Sequence, residues 1–464
     1  MHKNSLYSII VSKASYKEIL GKKMKIVGLI TEYNPFHNGH RYHIEKALEM
    51  TDSDAAIVLM SGNFVQRGTP ALLPKHIRAK AALLGGASVV LELPVLCACG
   101  SAEYFARGAV SIFNNLGCVD CLCFGSECND PGKLEAIAGI LAEEPEAFRL
   151  SLQNHLKQGD PFPLARQRAL GEYTGDTALA QVLEQPNNIL GIEYIKAIYQ
   201  TQSSIRACAI QRQESEYHDT TLSQTYSSAS AIRHILSGPN PSYGQPQTKL
   251  SFSDVPVDSA CENVWSKLQI PEPLFPLADQ VPQSAFRLLC ENYKKRYPID
   301  ADDFSLLLKY RLLTETAESL NLYADMTWEL ANRINRNRNK LISWSQFCNL
   351  LKTREVTFSR ISRILLHILL GITKDDTAHF HEHGYAHYAR ILGFSKSQTL
   401  VLKEMKANSR IPLITKPADR PELNCFGERM LNLDIFAANL YESVVTEKYK
   451  YPFIHEYEQQ ICII

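Results

Sequence analysis

From Met24 onward, short runs of apolar residues alternate with longer stretches in which apolar positions recur every three or four residues. The short runs are Lys25–Glu32, Ala55–Met60, Ala87–Leu93, Val119–Phe124 and Ser204–Gln211. Hydrophobicity this continuous is what a strand buried on both faces requires. Between the runs lie amphipathic segments at Gly39–Met50, Pro74–Gly85, Ser101–Leu116, Pro131–Ala142, Pro145–Lys157 and Asn187–Gln200, with Ser228–Leu236 after the last run. Proline in a first turn and glycine just past a last turn mark several of them as helices. The expected fold class is α/β, a doubly wound five-stranded parallel sheet with helices on both faces.

Beyond Gly238 the pattern changes. Residues up to about Pro282 are rich in Pro, Gly and Gln and read as a linker or irregular connection. From Ser284 to about Ser409 the periodicity is helical, and residues 410–464 are mixed, ending in an apolar tail at Ile461–Ile464. The first 23 residues hold five lysines and one acid and read as an N-terminal extension. The expected organisation is therefore an extension (1–23), an α/β domain (24–238), a linker (239–283) and a mostly helical region (284–464).

Composition adds limits. The chain has 464 residues, 45% of them hydrophobic and 21% charged, which excludes wholesale disorder. No apolar run reaches the roughly 18 residues of a membrane helix. Lys plus Arg equals Asp plus Glu at 49 each, so a polyanionic partner must be met by a local patch. One such patch exists. Residues 331–363 carry Arg333, Arg336, Arg338, Lys340, Lys352, Arg354, Arg360 and Arg363 against the single acid Glu355. That imbalance favours contact with nucleic-acid phosphates over a merely solvated face.

Twelve cysteines, many in apolar runs, fit the reduced, buried thiols of a cytoplasmic protein. Cys118, Cys121, Cys123 and Cys128 cluster in sequence. Zinc sites pair two such clusters or add histidines at set spacing. Neither follows here, so no metal site is expected.

Two motifs carry chemistry. Residues Thr31 to His40 (TEYNPFHNGH) sit where the first strand ends and the first helix begins. In an open parallel sheet, ligands bind at the carboxyl ends of strands. The helix start offers free N–H groups and partial positive charge to phosphate. His37 and His40 share a face of the first turn and can donate hydrogen bonds to phosphate oxygens. The second motif, SSASAIR at 227–233, opens the helix after the fifth strand. Ser228 and Arg233 there suit a phosphate clamp. Arg67 and Lys75, beyond the second strand, could meet a leaving pyrophosphate.

H-x-G-H on the first strand–helix turn, paired with S-S-x-S-x-I-R after the fifth strand, resembles the nucleotidylyltransferase superfamily, whose fold is shared with class I aminoacyl-tRNA synthetases. EYNPFHNGH, SGNFVQRG (61–68), LELPV (91–95), SAEYFARGAV (101–110), CFGSE (123–127), PNNILGIEY (186–194) and TFSRISR (357–363) are more closely similar to the bacterial tRNA(Met) cytidine acetate ligase family. The resemblance implies a sheet of the HxGH nucleotidylyltransferase type and a two-step ligase. Acetate attacks the α-phosphate of ATP to give acetyl-adenylate, and the wobble cytidine of elongator tRNA(Met) takes the acetyl group as N4-acetylcytidine. Mg²⁺ would accompany ATP, and no protein partner is implied.

By the same resemblance, His37 and His40 are the catalytic residues. ATP contacts run through Ile30, Thr31, Glu32, Tyr33, Asn34, Pro35, Phe36, His37, Asn38, Gly39, His40, Arg41, Tyr42 and His43, with Gly125, Asn188, Arg212 and Gln213. On the charge of the basic patch rather than the resemblance, the tRNA would meet Arg336, Arg338, Lys352, Arg354, Arg360 and Arg363. The family usually places Glu where Thr69 stands. Two rival readings explain less. A nucleotidylyltransferase acting on a small coenzyme precursor leaves residues 284–464 without use. A non-catalytic RNA-binding adaptor leaves HNGH and the serine-rich clamp unexplained.

Overall fold

The computed structural model describes residues 24–128, 130–212, 228–237, 270–419 and 423–464. Five parallel strands form its centre: β1 (Ile26–Thr31), β2 (Ala55–Ser61), β5 (Val89–Leu93), β6 (Cys121–Ser126) and β7 (Arg206–Gln211). A two-stranded hairpin, β3 (Phe64–Val65) and β4 (Thr69–Pro70), follows β2. The central order is β5-β2-β1-β6-β7, with Val27 of β1 level with Ala56 on one side and Cys121 on the other.

The five-strand expectation is corrected upward, because the sheet has eight strands among the described residues. β8 (Ala389–Phe394) pairs antiparallel with β5, and both β9 (Leu413–Ile414) and β10 (Cys462–Ile463) pair parallel with β8. The physical reason lies at the edge of β5. Its unpaired backbone groups need a partner, and the short apolar run ARILGF supplies one from within a region whose periodicity is otherwise helical.

Residues alternate between the two faces of the sheet as a pleated strand requires. Val27, Leu29, Ala56, Val58, Cys121 and Cys123 pack with α1 (Asn38–Thr51), α2 (Lys75–Leu84) and α5 (Ala229–Ser237). Ile26, Ile57, Leu59, Leu91, Leu122 and Phe124 pack with α3 (Ala102–Leu116) and α4 (Pro186–Gln200). Burial on both faces is why these strands read as continuous apolar runs. The α3 helix starts where the Ser101 Oγ accepts from the Tyr104 N–H at 3.4 Å, and it stops at Gly117.

The helical half closes over the second face. Among its helices, α6 (Phe358–Leu370) and α7 (Cys425–Tyr449) share the apolar core with α3 and α4. The Tyr441 hydroxyl of α7 donates to Ala71 O at 2.8 Å, and Asp434 accepts from the Val95 N–H at 2.7 Å. Both tie α7 to loops that leave the carboxyl ends of β2 and β5. No helix among the described residues is long and apolar enough to cross a membrane.

Candidate active site

The turn from β1 into α1 is organised by its own histidines. The His37 Nδ1 accepts from the Gly39 N–H at 3.1 Å, and the His40 Nδ1 accepts from the His37 N–H at 3.3 Å. This is a reciprocal cap in which imidazoles replace the usual hydroxyl and carboxylate. It has a chemical consequence. A neutral imidazole that accepts through Nδ1 carries its proton on Nε2. Both rings are held neutral. Burial, then Arg212 and Arg233, pushes His37 down to about 3, and burial, then His37, holds His40 well below the usual histidine range. The rings stack with centroids 3.7 Å apart. Tyr33 packs edge-on against His40 with centroids 4.8 Å apart. The result is two fixed Nε2–H donors beside a helix amino-terminus.

These donors face a cleft of about 300 Å³ at the carboxyl ends of the parallel strands. Ile30, Thr31, Glu32, Tyr33, Asn34, Gly39, Tyr42 and His43 line it with the two histidines. Gly125 of β6 and Arg212 after β7 form another wall. A Cβ on Gly125 would lie 3.3 Å from the Arg212 Cγ, so the bare backbone makes room for the arginine stem. Ser228 and Arg233 complete the wall from α5. The Ser228 Oγ accepts from the Ala231 N–H at 3.0 Å, which starts that helix. Arg233 donates to Asn34 O at 2.7 Å and to the Ser230 Oγ at 2.9 Å, so α5 is latched onto the β1–α1 turn. Among the described residues, Arg67, Arg212 and Arg233 line the cleft against one carboxylate, Glu32. Such a wall suits a polyanion.

The hairpin β3–β4 forms the remaining wall with Gln66, Arg67 and Thr69. The Gln66 N–H donates to Glu32 Oε1 at 3.0 Å. Beneath it, the buried Arg78 donates to Leu73 O, Glu32 O and Ser61 O at 3.0, 2.6 and 3.1 Å, and also to Gly62 O. One guanidinium thereby holds together the ends of β1 and β2, and burial lowers it to about 10. The hairpin also rests on α6. The Ser362 hydroxyl donates to Gly68 O at 2.8 Å and accepts from the Trp344 Nε1–H at 3.0 Å. The basic segment, distant in sequence from the histidine motif, therefore touches a wall of the cleft.

Several expected site residues have other duties. Pro35, Phe36, Asn38, Arg41 and Asn188 are not among the residues lining the cleft. Phe36 is buried against Tyr33. Asn38 donates to Asp279 O at 2.7 Å. Arg41 points outward to Glu45 at 2.8 Å. The Asn188 side chain is spoken for. Its Oδ1 accepts from the Ser126 hydroxyl and from the Glu127 and Cys128 N–H groups at 2.7–2.9 Å, fixing the loop after β6. Its neighbour Asn187 lines the cleft instead. Lys75 is fully buried with Glu92 and Glu456 at 2.6 and 2.7 Å, so it cannot reach a pyrophosphate. Gln213 lies outside the described residues, as do Ser227 and most of the 239–283 connection.

The basic patch divides in two. Arg336, Lys340, Lys352 and Arg354 are exposed. Arg338 donates to Glu315 O at 2.6 Å, Arg360 to Asp325 O at 3.4 Å, and Arg363 lies 3.6 Å from Asp325 Oδ2. Sequence reasoning also missed Gln66, Tyr194 and Gln211, which line the cleft. Gln66 and Gln211 have a readable signal, since each sits at or just past the carboxyl end of a strand.

A family model described as HIGH Nucleotidyl Transferase matches residues 24–455. A protein of Acetivibrio thermocellus named tRNA(Met) cytidine acetate ligase is 38% identical over 425 residues, covering 90% of this chain and 94% of that protein. One of the same name from Alkaliphilus metalliredigens is 36% identical over 435 residues, covering 91% and 95%. The apo crystal structure of Thermotoga maritima TmcAL matches with a TM-score of 0.82 at 29% identity, covering 95% of this chain and 100% of that one. The same protein bound with alpha-thio ATP matches with a TM-score of 0.80 at 29% identity, with the same coverage. The HxGH turn, the parallel sheet and these likenesses agree, and the chain belongs to the tRNA(Met) cytidine acetate ligase family of HIGH nucleotidyl transferases.

Proposed function

We propose that the cleft activates acetate with ATP and passes the acetyl group to the wobble cytidine of elongator tRNA(Met). The observation that carries this is the pair of neutral histidines whose Nε2–H groups flank the amino-terminus of α1. Acetate is already a nucleophile at neutral pH, so the first step needs alignment and charge stabilisation more than a base. An acetate oxygen bonds to the α-phosphorus and pyrophosphate leaves. His37, His40 and the helix N–H groups donate to the phosphate oxygens as charge builds there. Arg212 and Arg233 hold the anion from the facing wall. The exocyclic amine of cytidine then attacks the acetyl carbon, and AMP departs with the former acetate oxygen.

Among the described residues, Glu32 is the one carboxylate lining the cleft. Mg²⁺ arriving with ATP would therefore be held chiefly by the triphosphate and water, and it supplies charge neutralisation. The tRNA side rests on the exposed cations Arg336, Lys340, Lys352 and Arg354, and on the contact of α6 with the cleft hairpin. We retain 24–238 as the ATP-binding part and 284–464 as the tRNA-binding part, with β8, β9 and β10 lent to the sheet by the latter. A tRNA substrate supports a cytoplasmic location for the reaction. Acetate-dependent ATP–pyrophosphate exchange without tRNA is the test. Exchange that needs acetate supports the reading, and exchange that ignores acetate overturns it.

A further inference from the structure

Three thiols that the proposed reaction does not use come together beneath the site. The Sγ atoms of Cys121, Cys123 and Cys208 all lie within 4.8 Å of one another. Cys123 stands level with Cys208 in the β6–β7 pairing, and Cys121 is two residues back on the same face of β6. That face is the one α1 covers. On α1, the His43 Nε2 is buried and has no hydrogen-bond partner among the described residues. A buried ring nitrogen left without a partner is destabilising unless something occupies it. Sulfur and imidazole in this number are the ligand set of a soft tetrahedral ion.

We infer that Cys121, Cys123 and Cys208, with the imidazole of His43, bind one thiophilic metal ion of the zinc class. In a tetrahedral site with Zn–S near 2.3 Å, the sulfurs stand about 3.8 Å apart, so the three sulfurs need only a modest contraction, while the His43 ring, which stands outside their 4.8 Å cluster, must move toward them. The ion would take the sulfurs as thiolates, their protons passing to solvent. Arg206, at the start of β7, offsets the negative charge that three thiolates leave around a divalent ion. Neither Cys118 nor Cys128 joins this cluster, and the Cys128 Sγ turns instead to Asp130 O at 3.6 Å. The metal site that sequence spacing argued against is thus assembled from two strands and a helix rather than from one cysteine-rich run.

The consequence is mechanical. His43 lies one turn beyond His40 and lines the cleft. An ion at this position would pin α1 to β6 and β7, and so fix His37 and His40 relative to Arg212.

The test uses the full chain, reduced and stripped with a chelator. Titration with Co²⁺ should give one equivalent, with sulfur-to-cobalt charge-transfer absorption and the visible bands of a tetrahedral ion, and Zn²⁺ should displace it. Zinc should also shield three thiols from a colorimetric thiol reagent. Cys208→Ala should weaken binding by more than the roughly 10–100-fold that a lost supporting hydrogen bond costs. His43→Ala should keep the charge-transfer band but weaken affinity. Zinc should raise the melting temperature of the wild type and not that of Cys208→Ala. Should Cys208→Ala fail to fold, Cys121→Ser serves in its place. The inference is overturned if the reduced wild type takes up no stoichiometric Co²⁺ or Zn²⁺, or if both cysteine variants bind it as tightly as the wild type. It is equally overturned if the reduced cluster ignores metal and air oxidation joins two of its sulfurs in a disulfide.

Discussion

Gly68→Ala is the sharpest test of how the two halves of the chain meet. Gly68 sits at the tip of the cleft hairpin with φ +73°. A Cβ built there lies 2.3 Å from the Arg363 backbone N, 2.4 Å from its Cα and 2.6 Å from the Ser362 carbonyl carbon. These are main-chain atoms of α6, so no rotamer change relieves the overlap. Left-handed backbone costs alanine about 1–2 kcal/mol, and forced overpacking typically adds about 1–3. Separation of the hairpin from α6 also loses the Ser362–Gly68 hydrogen bond, worth about 0.5–1.5. Staying seated therefore costs about 2–5 kcal/mol, more than the ~0.5–1.5 kcal/mol lost with that hydrogen bond. The expected outcome is a hairpin that lifts off α6 while the sheet stays folded. Gln66, Arg67 and Thr69 then leave the cleft wall. ATP affinity, read by calorimetric titration, should fall at least about tenfold, equivalent to 1.4 kcal/mol. Ser362→Ala keeps the backbone fit and should lose less. If Gly68→Ala matches the wild type in both ATP affinity and melting temperature, the hairpin does not depend on α6.

Replacing His37 or His40 with Ala should slow acetyl-adenylate formation by roughly 10²–10³-fold, the usual cost of one donor to a developing anion, with ATP affinity falling less. Because both rings are held neutral, the adenylation rate should show no histidine inflection near pH 6.5, and such an inflection would count against the buried donor pair. The same depressed values fix a stability trend. His37 gains no proton until about pH 3, whereas the unfolded chain takes one near 6.5, so stability should be full above pH 6.5 and decline as pH falls toward 3, as acid titration followed by circular dichroism would read. Arg336→Ala with Arg354→Ala should weaken tRNA binding and flatten the logarithmic salt slope by roughly 0.7–0.9 per lost phosphate contact, leaving tRNA-free pyrophosphate exchange intact; an unchanged slope would make this face merely solvated. With ¹⁸O-labelled acetate, AMP should carry one label, and unlabelled AMP alongside newly formed acetylcytidine would rule out the adenylate.

The central strands were legible because burial on both faces leaves a continuous apolar trace. The HxGH turn was legible because strand, turn and helix signals fall in sequence order around it. What stayed hidden was decided by distant partners. β8 is a six-residue run whose strand role is set by the open edge of β5. Asn187 and Asn188 are equivalent letters at a helix start, and only helical phase sends one to the cleft and the other into the loop. Cys208 is one cysteine in an apolar strand until β6 is laid beside it.

Cations are the least legible of all, because the same residue type serves either a ligand or the fold. Arg212 and Arg233 reach the cleft, while Lys75, Arg78 and Arg338 are consumed within the protein. Lys75 shows why. It shares Glu92 and Glu456 with Arg390, which lies 3.0 Å from Glu92, in a network buried almost completely. Removing one member of such a network strands a charge, at about 3–5 kcal/mol. Its four members come from α2, β5, β8 and the segment after α7, so it joins the sheet to the C-terminal part of the chain. A lysine beyond β2 looks like a phosphate ligand only while its partners Glu92 and Glu456, the latter hundreds of residues away, are out of view. The requirement that buried charge be paired removes it from the reaction and makes it a joint between the region that holds the cleft and the region that carries the basic face.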